Sequence, residues 1–121
     1  MNIEDFILDD YNYESKVDGI LVKIKKDSMN EETVVYANKI LGLYLSKKSE
    51  IVEYILNDRL MDFYGSVYTR DEIVEKLKEA DIEVISNKWG ILVWLNHELD
   101  EHIIEVEFNN DLQLSYVSID G

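Results

Sequence analysis

Polar and apolar residues alternate with a period of two through GILVKIKKD (19–27). Ile20, Val22 and Ile24 face one way, Lys23 and Lys25 the other. Successive side chains on a strand point to opposite faces, so this spacing predicts a half-buried strand. FILDD (6–10) predicts a shorter strand before it. The segment between them, YNYESKVD (11–18), is polar and carries Asn and Asp, which predicts a turn or irregular loop.

The period then lengthens. In EETVVYANKILGLYL, the residues Val34, Ala37, Leu41 and Tyr44 share one helical face, and Ser28-Met29-Asn30-Glu31 ahead of them fits a capping box. SEIVEYILNDRLMDFYG predicts a second helix, with Val52, Ile55, Leu56 and Phe63 near one stripe and Gly65 as its stop. Thr69-Arg70-Asp71-Glu72 is another capping box. It opens DEIVEKLKEA, whose acids come early and whose lysines come late, as the helix dipole favours.

Beyond residue 81 the pattern is extended again. IEVIS (82–86) and WGILVWLN (89–96) flank Asn87-Lys88, and a two-residue turn there pairs Val84 with Ile91 and Ile82 with Val93. That register turns Ile82, Val84, Ile91, Val93 and Leu95 toward the helices, and Ile85, Leu92 and Trp94 away from them. IIEVEF and LQLSYVSI flank Asn109-Asn110-Asp111. A three-residue loop pairs Phe108 with Leu112, Val106 with Leu114, Ile104 with Tyr116 and His102 with Ser118, with Asn110 or Asp111 taking positive φ. The expected architecture is a single α+β domain over residues 1–121. It has a mostly antiparallel sheet of about six strands in the order ββαααββββ, with the helices on one face.

Composition narrows the class. An apolar fraction of 46% over 121 residues suits one folded core, and the absence of cysteine removes disulfides and thiolate metal sites. The acidic start MNIEDF is unlike a signal peptide, and no apolar run approaches the ~18 residues of a membrane span. The expectation is a cytoplasmic protein. Ten Lys to two Arg, with many Ile, Asn and Tyr, suggests a bacterial, AT-rich source.

Charge adds a direction. The net charge is −14, and it is uneven: residues 1–70 carry thirteen acids and nine bases, residues 71–121 thirteen acids and three bases. No Lys or Arg follows Lys88. Such a surface repels phosphate backbones and anionic membranes, so neither nucleic acid nor membrane is expected as a partner. A basic protein partner is favoured, because opposite potentials steer encounter.

HELDEH (97–102) resembles the helical zinc signature HExxH with one residue too many. Five residues apart on a helix, His97 and His102 diverge by about 140°, and on a strand they fall on opposite faces. Neither geometry makes a two-histidine site, so no metal or cofactor is expected. A strand beginning near Glu101 instead puts His102, Ile104, Val106 and Phe108 on one face and Glu101, Ile103, Glu105 and Glu107 on the other. Neighbouring carboxylates then stand about 7 Å apart. No nucleophile elbow, Gly-rich loop or Ser–His–Asp order accompanies them, so no catalytic residue is expected. Trp94, if uncovered beside these acids, fits an interface contact. The function expected is a non-enzymatic acidic binding protein, similar to an immunity protein or antitoxin that masks a basic toxin or nuclease. Its contact residues would be Trp94, Glu101, Ile103, Glu105 and Glu107. The alternatives are a housekeeping or regulatory domain, or a small metal-binding enzyme built on His97, His102 and nearby acids. The oligomeric state stays open.

The order of elements, with Thr69 to Ile73 opening a helix, a strand ending in Trp94-Leu95, then Leu99, His102-Ile103-Ile104 and the closing Gly121, resembles the bacterial family known as domain of unknown function 2262. Where that family tends to have glycine before the histidine this chain has Glu101, and where it tends to have an acid after the aromatic strand this chain has Asn96. The resemblance implies an α+β fold and no assigned activity.

Overall fold

Spatial order and chain order coincide in the sheet, whose seven strands lie side by side from β1 to β7. The computed structural model describes residues 1–121. Strands β1 (Ile7–Asp9), β2 (Asn12–Val17) and β3 (Ile20–Lys25) form an antiparallel meander. Helices α1 (Glu31–Ser46), α2 (Lys48–Ile55), α3 (Met61–Tyr64) and α4 (Arg70–Leu77) follow. The chain then returns as a second meander, β4 (Asp81–Val84), β5 (Trp89–Trp94), β6 (Ile103–Asn109) and β7 (Gln113–Asp120). The helical insert is a crossover, so β4 meets β3 in parallel while every other neighbour is antiparallel. The architecture is therefore α+β with a mostly antiparallel sheet, as the pattern suggests. It has seven strands rather than six, and three of them precede the helices.

The additional strand is β2, within the segment expected to be a loop. Its polar residues Asn12, Glu14 and Lys16 alternate with Tyr13, Ser15 and Val17, and Ser15 is buried opposite Val22. Asp18 and Gly19 both have positive φ, 51° and 83°, which is the tight turn whose twist matches paired strands.

One face of the sheet carries the core. Val22, Ile82, Leu92, Val106 and Val117 stand in a single row across β3 to β7, all at or near zero exposure. Ile24, Val84 and Phe108 flank that row on one side, and Ile20, Trp94 and Ile104 on the other, all in one cluster with the helices. Gly90 leaves room there: a Cβ would clash with the Glu83 carbonyl and lie 2.6 Å from Phe108 Cζ.

The helices lie against this face. Val34, Ala37, Leu41 and Tyr44 of α1 are buried as their spacing predicts. Its cap, however, is Asn30, whose side chain accepts from the Thr33 N–H at 2.9 Å. Ser28 instead donates to the Ile85 carbonyl at 2.6 Å. Thr69 and Glu72 form the expected reciprocal box at the start of α4.

Between α2 and α3, residues Leu56–Leu60 form a π turn in which the Met61 N–H reaches back to Leu56 O. A straight α-helix would continue the stripe of Val52 and Leu56 through Phe63. The wide turn absorbs one residue, so Ile51, Ile55, Leu60 and Tyr64 are buried and Phe63 is exposed.

Both C-terminal hairpins differ in register from the expected one. The β4–β5 turn uses three residues, Ser86 to Lys88, with Lys88 N–H bonded to Ser86 Oγ at 3.1 Å. Val84 therefore pairs with Gly90 and Ile82 with Leu92, one residue out of step. Since strand faces alternate, that slip exchanges the two faces of β5. The β6–β7 loop is Asn110 to Leu112, with positive φ at Asn110 and Leu112. A β-bulge then sets Ser115 and Tyr116 opposite Glu107, and beyond it Val117 faces Val106 and Ile119 faces Ile104, the positions expected of Leu114 and Tyr116.

Candidate functional site: the uncovered face of the sheet

With all helices on one side, the opposite side of the sheet has no second layer. Alternation places Glu14, Lys16, Leu21 and Lys23 there from β2 and β3, and Asp81 and Glu83 from β4. Ile91 and Val93 follow from β5, Ile103, Glu105 and Glu107 from β6, and Ser118 and Asp120 from β7. Bases stand on β2 and β3, and acids predominate from β4 onward, so the face grades from mixed charge to negative. Lys23 lies opposite both Glu14 and Glu83.

Burial among neighbouring side chains raises the carboxyls of Asp81 and Glu83, although Lys23 opposes it in both and Lys16 also in Asp81. Glu105 is raised too, by burial first and then by the charges of Asp120 and Glu107. A carboxylate whose ionisation is disfavoured by its neighbours gains from a cation brought close to it.

Beside β7 this face dips into a concavity of about 270 Å³ lined by Ile91, Glu105, Glu107, Tyr116, Ser118 and Asp120. Three other acids of the C-terminal half are paired with lysine, while Asp71 and Glu75 are not. Asp111 pairs with Lys39, Glu79 with Lys48, and Glu98 with Lys78 at 2.8 Å. Glu101, Glu105, Glu107 and Asp120 are in no ion pair.

Of the residues expected to form a contact surface, Ile103, Glu105 and Glu107 share the uncovered face, and Ile103 is 38% exposed. Glu101 lies ahead of β6 in an exposed bend. Trp94 is not on this surface. It is 1% exposed and packs in the core beneath the helices, because the β4–β5 register turns it inward. Its Nε1 has no hydrogen-bond partner. Trp89 at the start of β5 is the exposed tryptophan. Tyr116, Ser118 and Asp120 complete the concavity; the bulge that brings them there has no clear mark in the sequence.

The two histidines of HELDEH do not converge on a common point. His97 is buried, its Nδ1 accepts from the Leu99 N–H at 3.1 Å, and its Nε2 lies 2.6 Å from the His102 carbonyl. These partners assign the proton to Nε2. His102 sits just before β6 rather than within it. Its Nδ1 is 2.8 Å from Asp100 Oδ2, and Phe63 meets its ring edge-on. Asp100 also accepts from the Tyr64 hydroxyl and the His102 N–H. Burial would raise the Asp100 carboxyl, but these hydrogen bonds hold it below the usual carboxylate range. The set ties loop 95–102 to α3, and the Glu98 N–H bonded to Lys76 O at 2.8 Å ties it to α4.

Two other concavities are larger. One of about 480 Å³ between α2 and α4 has Val52, Leu56 and Val74 as its apolar part, with Lys48 and Arg70 at its rim already paired to Glu79 and Glu53. The other, about 450 Å³, lies along β1 to β3 beside Glu14 and Lys16. No helix is long and apolar enough to cross a membrane. No family model, curated protein or solved structure matches this chain.

Proposed function

We propose that this chain is a non-enzymatic, acidic protein-binding domain whose uncovered sheet face receives a basic protein. The form of function in view is an immunity-like or antitoxin-like inhibitor that masks a basic toxin or nuclease. One observation carries the reading: Glu105, Glu107 and Asp120 stand together without cationic partners around Ile91 and Tyr116, on a face that no helix covers. Unmatched acids beside apolar side chains supply both parts of a protein contact, long-range attraction and an area to desolvate. The raised carboxyl of Glu105 supports the reading, since the charge of a docked lysine or arginine would oppose the burial and the Asp120 and Glu107 charges that raise it.

The test begins with the intact chain as bait in cells that encode it, followed by association kinetics with the recovered partner. The expected partner is basic. Reversing Glu105, Glu107 and Asp120 to lysine should slow association by about tenfold or more at low ionic strength, with a smaller effect at high salt. An unchanged association rate in the reversed variant would reject the proposal.

A further inference from the structure

We infer that β7 is the docking edge of this face: an extended, lysine- or arginine-bearing segment of the partner adds to the sheet as an eighth strand alongside Val117–Asp120. The inference rests on the reading of the uncovered face as a binding surface, and it adds the way in which the partner is held.

The two edges of the sheet differ. β1 has three residues, whereas β7 has eight and is paired on one side only, against β6. An edge strand presents a row of unpaired N–H and C=O groups outward, and proteins commonly blunt such rows with lysine, proline, a bulge or a short strand. The first half of β7 is blunted. The bulge at Ser115 and Tyr116 breaks its regularity, and the Tyr54 hydroxyl from α2 occupies the Ser115 carbonyl at 2.7 Å. The second half is not. Val117 to Asp120 run in regular register against Ile103 to Val106, and the strand contains neither lysine nor proline.

Charge selects the occupant. Pairing β7 with its counterpart in a second copy would bring Glu105 and Asp120 of one molecule toward those of the other, between chains of net charge −14. The same carboxylates attract a basic segment. Neighbouring strands are about 4.8 Å apart, so every second side chain of an added strand would project onto the uncovered face level with Ser118 and Asp120. From there a lysine or arginine reaches across β7 to Glu105, with its aliphatic stem against Tyr116 and Ile91 in the concavity.

The test uses the full chain and a synthetic peptide of alternating lysine and threonine. Two further versions of the peptide are N-methylated at every second residue, one in each phase. An added strand donates from alternate residues, so strand addition requires one methylated phase to bind about tenfold or more weakly than the parent and the other to bind like it. Hydrogen exchange should slow within Val117–Asp120, and Glu105→Lys with Asp120→Lys should abolish that protection. If both methylated phases bind as tightly as the parent, with amide shifts centred on β4 to β6, strand addition is wrong and the binding face stands. If no version perturbs β6 or β7 at low salt, both proposals fall. Concentration-dependent protection of β7 without peptide would show a second copy as the occupant and overturn the inference.

Discussion

His97 clips the β5–β6 loop closed by placing its Nε2 2.6 Å from the backbone carbonyl of His102, while its Nδ1 accepts from Leu99. Replacing His97 with alanine leaves both backbone groups without their partner and opens a void under the loop. The expected loss is about 2–4 kcal/mol, read from urea unfolding, with Tyr64 and Asp100 released from their fixed geometry. A loss below about 0.5 kcal/mol would show that the loop is held without the imidazole.

The two tryptophans should behave as opposites. Trp94 is in the core and Trp89 is 38% exposed. Iodide should quench Trp89 and spare Trp94, and a ligand on the uncovered face should change the emission of Trp89 alone. Trp94→Ala should cost about 3–5 kcal/mol in stability. Trp94→Phe should cost much less, because it also removes an indole N–H that has no partner. Free iodide quenching of Trp94 would contradict its placement under the helices.

The π turn makes a deletion testable. Removing exposed Asp58 turns Leu56–Leu60 into ordinary helix and leaves the buried stripe from Ile51 to Tyr64 on one face. The shortened chain should fold with an unchanged far-ultraviolet spectrum and lose at most about 1–2 kcal/mol. Deleting Lys39 from the regular helix α1 should be far worse, since it rotates Ile40, Leu41 and Tyr44 off the core. Equal damage from both deletions would mean that the wide turn does more than absorb a residue.

Glu83 couples the uncovered face to pH. Its carboxyl is raised above the usual 4.5 by burial. The folded state therefore holds this proton more tightly than the unfolded chain does. The resulting stability is complete below the unfolded value and is lost as pH rises through the folded one. Glu83→Gln should raise the melting temperature at neutral pH, and the gain should vanish below about pH 4. Asp100 acts in the opposite sense: its lowered carboxyl favours the fold above the unfolded value, and this is lost as pH falls through the folded one. A Glu83→Gln variant whose advantage persists unchanged into acid would refute the assignment.

These particulars also show where sequence was readable. The Thr69–Glu72 box and the buried face of α1 follow from local spacing alone, and both are present. Strand β6 alternates cleanly, so Glu105 and Glu107 could be placed on one face without knowing its neighbours. Strand β5 could not be oriented that way, because Trp89, Ile91 and Val93 on one face are as apolar as Leu92 and Trp94 on the other. Its direction is set by the turn, where Ser86 bonds Lys88 and Asn87 reaches Glu32 of α1 at 2.6 Å, a contact distant in sequence. The π turn and the β7 bulge each insert one residue without a glycine or proline to mark it. Asp18-Gly19 makes the β2–β3 turn, but the polar composition of 11–18 reads as a loop and hides the strand before it.

The lone parallel seam between β3 and β4 divides the molecule by assembly order as well as by direction. Each meander can zip up from its own tight turns, since its partners are close in sequence. Val22 meets Ile82 only after the entire helical insert has been looped back, which is the slow entropic step in such a topology. Trimming Val22 or Ile82 should therefore retard refolding more than trimming Val117 at the rim, giving the two halves different histories within one barrier.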